Sequence, residues 1–168
     1  MTSRHQTISL IGMPGAGKST VGVILAKRTG LAFTDTDLAI QVREGEILQD
    51  IVDRVGNPRF RHIEEEVLLE VPLDDAVVST GGSVIYSDAV MQRLRAAGPV
   101  VYLAADLATL EARVAANPLR GIARGAGQSY ADVYAERCPL YEQYADIIVD
   151  AAAGNADAVA DAIFRALP

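Results

Sequence analysis

Residues 12–20 read GMPGAGKST, and no other stretch limits the fold as much. Glycines at 12, 15 and 17 let backbone N–H groups turn inward to form an anion nest, which a Cβ would obstruct. Before them, TISLI (7–11) has the pattern of a short buried strand. After them, VGVILAKRTG has helical spacing at Val21, Ile24, Leu25 and Arg28, with Gly30 as C-terminal cap. Strand, nest and helix in that order aim a helix N-terminus at a bound phosphate. The motif is G-x-x-x-x-G-K-[ST], met by Gly12, Gly17, Lys18 and Ser19. In it the lysine reaches the β- and γ-phosphates and the hydroxyl is a Mg²⁺ ligand. The expected nucleotide cradle is Gly12, Gly15, Ala16, Gly17, Lys18, Ser19 and Thr20.

The rest of the chain repeats the alternation. Strands are predicted at LAF (31–33), VVST (77–80), PVVYLA (99–104) and DIIVD (146–150). Helical segments are expected around 37–43 and 46–54, from an Asn57 cap with Pro58 at the first helical position, and after caps at Ser87, Asp106, Ser129 and Asn155. Strand and helix alternating throughout imply an α/β fold, a parallel sheet with helices on both faces. No repeat or linker divides the 168 residues, so one domain is expected.

Charge and composition narrow the partners. Net charge is −7, which argues against a general nucleic-acid or anionic-membrane surface. No stretch is apolar enough to span a bilayer or to act as a signal peptide, so a cytoplasmic protein is expected, as a monomer. The single cysteine, Cys138, excludes an internal disulfide, and nothing near it suggests an activated thiol. Thirteen arginines stand against two lysines, and arginine suits bidentate recognition of carboxylate and phosphate.

Among P-loop proteins, a GTPase would show N-K-x-D, which does not occur. VVYLAAD (100–106) imitates a metal-binding strand, but Asp106 reads better as a helix cap. A small kinase using ATP and Mg²⁺ fits best. On the acceptor side, FTDTD places Asp35 and Asp37 two residues apart. A strand continuing that far would point both to one face, one carboxylate for Mg²⁺ and one for an acceptor hydroxyl. The competing reading is a strand end with a helix cap, which needs only one aspartate.

These stretches, with RFRHIEEE, TGGS, LEARVAANPLRG and ERCPLYEQYAD, resemble the shikimate kinase family over about residues 8 to 150. The resemblance implies a three-layer P-loop kinase fold with a five-stranded parallel sheet in the order 2-3-1-4-5. It also implies an acceptor-binding helical region at 37–70 and a mobile lid at 117–128. The implied reaction is transfer of the ATP γ-phosphoryl to the 3-hydroxyl of shikimate. By position, Asp35 resembles the metal-associated aspartate and Asp37 the one gripping acceptor hydroxyls. Arg61 and Arg137 resemble the carboxylate clamp, and Gly81 and Gly82 the turn that approaches substrate. Arg113 resembles the arginine against adenine and Arg120 the lid arginine on the phosphates. Lys18, Asp37 and Arg120 are the expected catalytic residues. Glu64, three residues after Arg61 on one helical face, is expected to orient it within the acceptor site. The alternative for Arg61 is a surface ion pair with Glu65 at i+4. His62 is expected on the surface.

Three positions depart from the family pattern. Ser83 stands for a third glycine, Arg120-Gly121 for an Arg-Pro pair, and Asn57 for an acidic residue. Nor does AAAGNAD (151–157) supply an adenine-side arginine. Two other readings therefore stay open: a kinase of another small hydroxy acid such as homoserine, and a nucleotide sensor without activity.

Overall fold

The computed structural model describes residues 6–117 and 127–168. Arg120, Gly121 and Arg124, with most of the segment expected as a lid, lie outside the described residues.

Strands β1 (Ile8–Ile11), β2 (Ala32–Asp35), β3 (Ala76–Ser79), β4 (Val100–Ala104) and β5 (Ile147–Asp150) form one parallel sheet in the order β2-β3-β1-β4-β5. β1 and β3 are buried along their whole length, and β4 along nearly all of it, which is why they read as mostly apolar runs, broken only by Ser9 in β1 and Ser79 at the end of β3. The edge strands β2 and β5 are only partly buried, and their patterns are correspondingly weaker.

Helices α1 (Lys18–Thr29) and α8 (Ala156–Ala166) pack on each other, and α1 lies along β3. Gly22 allows α1 to close on the sheet, because a Cβ there would stand 2.7 Å from the Phe33 ring. The other helices are α2 (Thr36–Glu44), α3 (Leu48–Val55), α4 (Asn57–Glu70), α5 (Asp88–Ala97), α6 (Leu107–Ala116) and α7 (Tyr130–Tyr144). α5 packs on α4, and α7 packs on β4.

Most predicted caps are present. Ser87, Asp106, Ser129 and Asn155 each accept a hydrogen bond from a backbone N–H in the first turn of their helix. Gly30 ends α1 in the left-handed conformation, at φ 74°. The Asn57 expectation is off by one residue. Gly56 is the N-cap, Asn57 already lies inside α4, and no side chain caps that end. Proline is accepted at either of the first two helical positions, so it did not fix the boundary.

Helices α2 to α4 enclose a small core of their own, built from Ile40, Ile51, Phe60, Ile63 and Val67. Burying each of these side chains contributes about 1.5–3 kcal/mol of transfer free energy. That cluster is separate from the main core on the sheet, so α4 has its own support.

Strand order reverses at β1, whose neighbours are β3 and β4. Open parallel sheets bind ligands at the carboxyl ends of strands beside such a point. GMPGAGKST follows β1, Asp35 ends β2 and Gly81-Gly82 follow β3, so all three meet there.

Candidate active site

The loop after β1 is built for an anion. Gly12 has φ 150°, and a Cβ on it would stand 2.9 Å from the Leu103 carbonyl of β4. Gly17 caps α1 with φ 93°, in the left-handed region. No side chain caps α1 and its first turn holds no acidic residue, unlike the ends of α2, α5 and α7. Its first N–H groups therefore face the loop with the positive end of the helix dipole behind them. Lys18 is buried, and its Nζ donates to the carbonyls of Gly12 (2.7 Å) and Met13 (3.0 Å).

Ser19 Oγ donates to Asp35 Oδ2 at 2.7 Å and lies 3.3 Å from Ser79 Oγ. Asp35 and Ser79 are register partners across β2 and β3, so the sheet itself sets this group. Asp35 also caps α2, its Oδ1 accepting from the N–H of Asp37 at 3.0 Å. This corrects the expectation for FTDTD. The strand stops at Asp35, and Asp37 sits in the first turn of α2, so the two carboxylates share no strand face. One aspartate is a cap, as the competing reading held, and the same residue also reaches Ser19. Ser79 carried no motif and was not anticipated.

On the other side of the loop, Arg113 Nη1 donates to the carbonyls of Gly15 (3.4 Å) and Ala16 (3.2 Å), and Nη2 to that of Ala151 (2.8 Å). It thereby ties the nest to the segment after β5, where no arginine of its own occurs. A cavity of about 230 Å³ opens beside it, lined by Gly17, Thr20, Val21, Asn117 and Gly154 among others.

The turn after β3 carries the opposite chemistry. A Cβ on Gly81 would stand 2.2 Å from Glu64 Oε2 and 3.3 Å from Asp37 Oδ1. One on Gly82 would stand 2.8 Å from Arg137 Nη1 and 3.0 Å from Pro14 Cδ. The two glycines therefore make room for groups from other elements: two carboxylates over the first, a guanidinium and the phosphate loop over the second. Their φ values are ordinary, so space alone explains them.

Glu64 is buried, and it does not do what its spacing from Arg61 suggested. Its Oε1 accepts from Ser83 Oγ at 2.5 Å, and the charges acting on it are those of Asp37, Arg137 and Lys18. Burial, opposed by the Ser83 hydrogen bond and reinforced by Asp37, pushes its carboxyl up to about 7. Arg61 lies against the ring of Tyr86, with its Cζ 4.3 Å from the centroid. Arg137, 1% exposed, approaches the same ring at 5.6 Å. Among the described residues no ion pair joins Arg61 to Glu65, so the surface alternative fails. His62 is exposed and faces Glu66 at 3.1 Å, a surface residue as expected.

One face of α7 binds the loops together. Tyr130 donates to the carbonyl of Pro14, Tyr134 to that of Ala105 at 3.3 Å, and Tyr141 to that of Gly82. With Arg137 these residues fall at i, i+4, i+7 and i+11, a single stripe. That tyrosine spacing is visible in the sequence, whereas no motif there singles out Tyr86. Cys138 is half-buried beside Tyr102 and Tyr134, and burial pushes its thiol up, away from a reactive thiolate.

A phosphate nest and a pocket with carboxylates at one end and guanidiniums at the other, sharing a wall at Pro14 and Gly82, define a P-loop phosphotransferase acting on a hydroxyl group of a small molecule. The family model described as "Shikimate kinase" matches residues 14–168. Shikimate kinase of Mycobacterium avium (strain 104) is 40% identical over 162 residues, covering 95% of this chain and 92% of that protein. Shikimate kinase of Pseudomonas aeruginosa (strain LESB58) is 41% identical over 144 residues, 84% of each. The solved shikimate kinase of Acinetobacter baumannii in complex with shikimate superposes with a TM-score of 0.87 at 30% identity, over 96% of this chain and 92% of that one. The chain belongs to the shikimate kinase family. Enzymes of this family use ATP as phosphoryl donor.

Proposed function

We propose that this chain transfers the γ-phosphoryl group of ATP to the 3-hydroxyl of shikimate. The observation that carries this reading is the division of charge around the β3 turn: carboxylates over Gly81, guanidiniums around Gly82 and Tyr86. Shikimate presents hydroxyls at one end and a carboxylate at the other. Asp37 and Glu64 accept the hydroxyls, while Arg61 and Arg137 clamp the carboxylate with planar donors. The reacting hydroxyl oxygen then attacks the γ-phosphorus, the bond to the β-phosphate oxygen breaks, and ADP leaves.

In such a transfer the protein mainly positions groups and balances charge. Lys18 and the α1 N-terminus meet the phosphate oxygens, and Arg113 lies at the base-side cavity. Arg120 is assigned to the phosphates by resemblance alone. The donor set Ser19 and Asp35 fits Mg²⁺, which takes one or two carboxylate or hydroxyl ligands and keeps several waters. Bound there, the metal would draw charge from the transferring phosphoryl group. The same reading takes the chain as a cytoplasmic monomer without nucleic-acid or membrane partners, supported by the net charge of −7. No helix among the described residues is long and apolar enough to cross a membrane.

The test is ADP release with shikimate, homoserine and gluconate at matched concentrations, with Lys18→Met as control. Turnover of shikimate alone, lost by roughly 10²-fold or more in the control, is expected. Turnover of homoserine in its place would replace the acceptor and keep the mechanism, and no turnover with any acceptor would favour a sensor.

A further inference from the structure

We propose that Ser83 is a positioning residue for the acceptor: its hydroxyl holds the Glu64 carboxyl group over Gly81 and favours the anionic form, which accepts hydrogen bonds from acceptor hydroxyls. This rests on the acceptor reading above and adds a determinant to the same pocket.

Ser83 and Glu64 are both buried, at 6% and 3% exposure, and joined at 2.5 Å. That length falls in the range of a hydroxyl donating to a charged oxygen. Ser83 Oγ takes Oε1, which leaves Oε2 over Gly81, where Asp37 Oδ1 also converges. A glycine at 83 would supply no such donor, and Glu64 would have lost its one fixed neutral partner.

The balance at Glu64 is close enough for a single hydrogen bond to decide it. Asp37 faces it from α2, Lys18 from α1, and Arg137 and Tyr141 from α7. Arg61 lies one turn earlier on α4, and His62 and Glu65 line the cavity that Glu64 and Ser83 share between α4 and α5. Burial and Asp37 favour the neutral acid, whereas Ser83, Arg137 and Lys18 favour the carboxylate, with Ser83 the largest of these three. With the midpoint at about 7, loss of the Ser83 donor leaves Glu64 mostly protonated at neutral pH. A protonated Glu64 offers one acceptor fewer to the substrate and weakens its counter-charge to Arg137.

The turn itself does not need the hydroxyl. Tyr86 N donates to the Ser83 backbone carbonyl at 3.1 Å, a bond that any residue at 83 would keep. Substitution there therefore reads the side chain.

The experiment measures kcat/KM for shikimate and KM for ATP from acid to alkaline pH in wild type, Ser83→Ala, Ser83→Gly and Ser83→Thr. In wild type, kcat/KM for the acceptor should rise with pH around a midpoint near 7. In Ser83→Ala and Ser83→Gly the midpoint should move up by about one pH unit, the acceptor KM at neutral pH should rise about fivefold, and the ATP KM should hold. Ser83→Thr, which restores a hydroxyl, should restore the wild-type profile. In parallel, carbon-13 NMR follows the Glu64 carboxyl in wild type and the two hydroxyl-free variants, assigned by its loss in Glu64→Gln. That titration needs no acceptor, so it tests Ser83 even if shikimate proves not to be the substrate. Superimposable Glu64 titrations with and without the Ser83 hydroxyl would overturn the proposal, as would a Thr variant that behaves like Ala.

Discussion

The guanidinium of Arg61, from α4, and that of Arg137, from α7, lie against one ring, Tyr86, at 4.3 and 5.6 Å from its centroid. Two like charges close together repel, and the ring's negative face offsets part of that cost. Tyr86 is itself anchored, its hydroxyl donating to Glu136 Oε1 at 2.6 Å while Gln128 Nε2 donates to Oε2 at 2.8 Å. Those two hydrogen bonds, the Tyr86 one foremost, hold the Glu136 carboxyl below its usual range, so an anion stays near both arginines. Tyr86 and its partner Glu136 thus hold in place the two guanidiniums proposed to clamp the acceptor.

Replacing Tyr86 should loosen both cations at once. At roughly 0.5–2 kcal/mol for each cation–ring contact, Tyr86→Leu is expected to raise the acceptor KM about tenfold and leave the ATP KM unchanged. Tyr86→Phe keeps the ring and drops only the Glu136 bond, so its effect should be smaller. Steady-state kinetics with each substrate varied in turn decides the matter; equal effects of Leu and Phe would assign the role to the hydroxyl instead.

Asp35 joins two tasks, capping α2 and receiving Ser19 across the register from Ser79. Asp35→Asn keeps the amide oxygen for the cap and removes the charge offered to the metal. Turnover is expected to fall by roughly 10²-fold or more, with a higher Mg²⁺ concentration needed for half-maximal rate. Ser79→Ala should change that requirement only slightly. An Asp35→Asn enzyme with an unaltered Mg²⁺ requirement would confine the residue to its cap.

What the sequence let one read follows from where the physics is local. The central strands, the Ser87, Asp106, Ser129 and Asn155 caps and the phosphate nest each depend on neighbours within a few residues, and all were legible. The surroundings of Asp37, Glu64 and Tyr86 depend on what crosses over from other elements. FTDTD could be read as a longer strand because nothing in five residues says where helix α2 begins. Glu64 and Arg61 share a helical face, but Ser83, nineteen positions away, captures the carboxylate. Tyr86 meets its two arginines only because α4 and α7 bring them to its ring.

Glu64 makes stability depend on pH in a defined direction. Its folded-state carboxyl is raised from 4.5 to about 7, so folding favours the protonated acid. The stability it contributes is fully present below 4.5 and is lost as pH rises through about 7. Glu64→Gln cannot ionise and should therefore be more stable than wild type at pH of about 8, by up to about 3 kcal/mol at 1.36 kcal/mol per unit. The difference should shrink toward zero in acid. Thermal melts at acid and alkaline pH measure it, and a Gln variant with the same offset from wild type at both would show that Glu64 titrates normally in the fold.

Arg61 is one of the two arginines proposed to clamp the acceptor carboxylate. Its Nε is buried and has no hydrogen-bond partner, and its guanidinium touches an aromatic face in place of a carboxylate. A buried donor left unpaired costs about 1–3 kcal/mol, which a bidentate acceptor carboxylate would recover. Arg61→Ala is therefore expected to weaken shikimate by roughly 2–5 kcal/mol, with ATP little affected. The sharper measurement is a double cycle, with Arg61→Ala on the protein side and a shikimate carboxamide on the ligand side. If the guanidinium meets the carboxylate, the carboxamide should lose far less affinity on the Ala variant than on wild type, a coupling of about 1 kcal/mol or more. Additive losses would place the carboxylate elsewhere and leave Arg61 as a neighbour that only shapes the pocket.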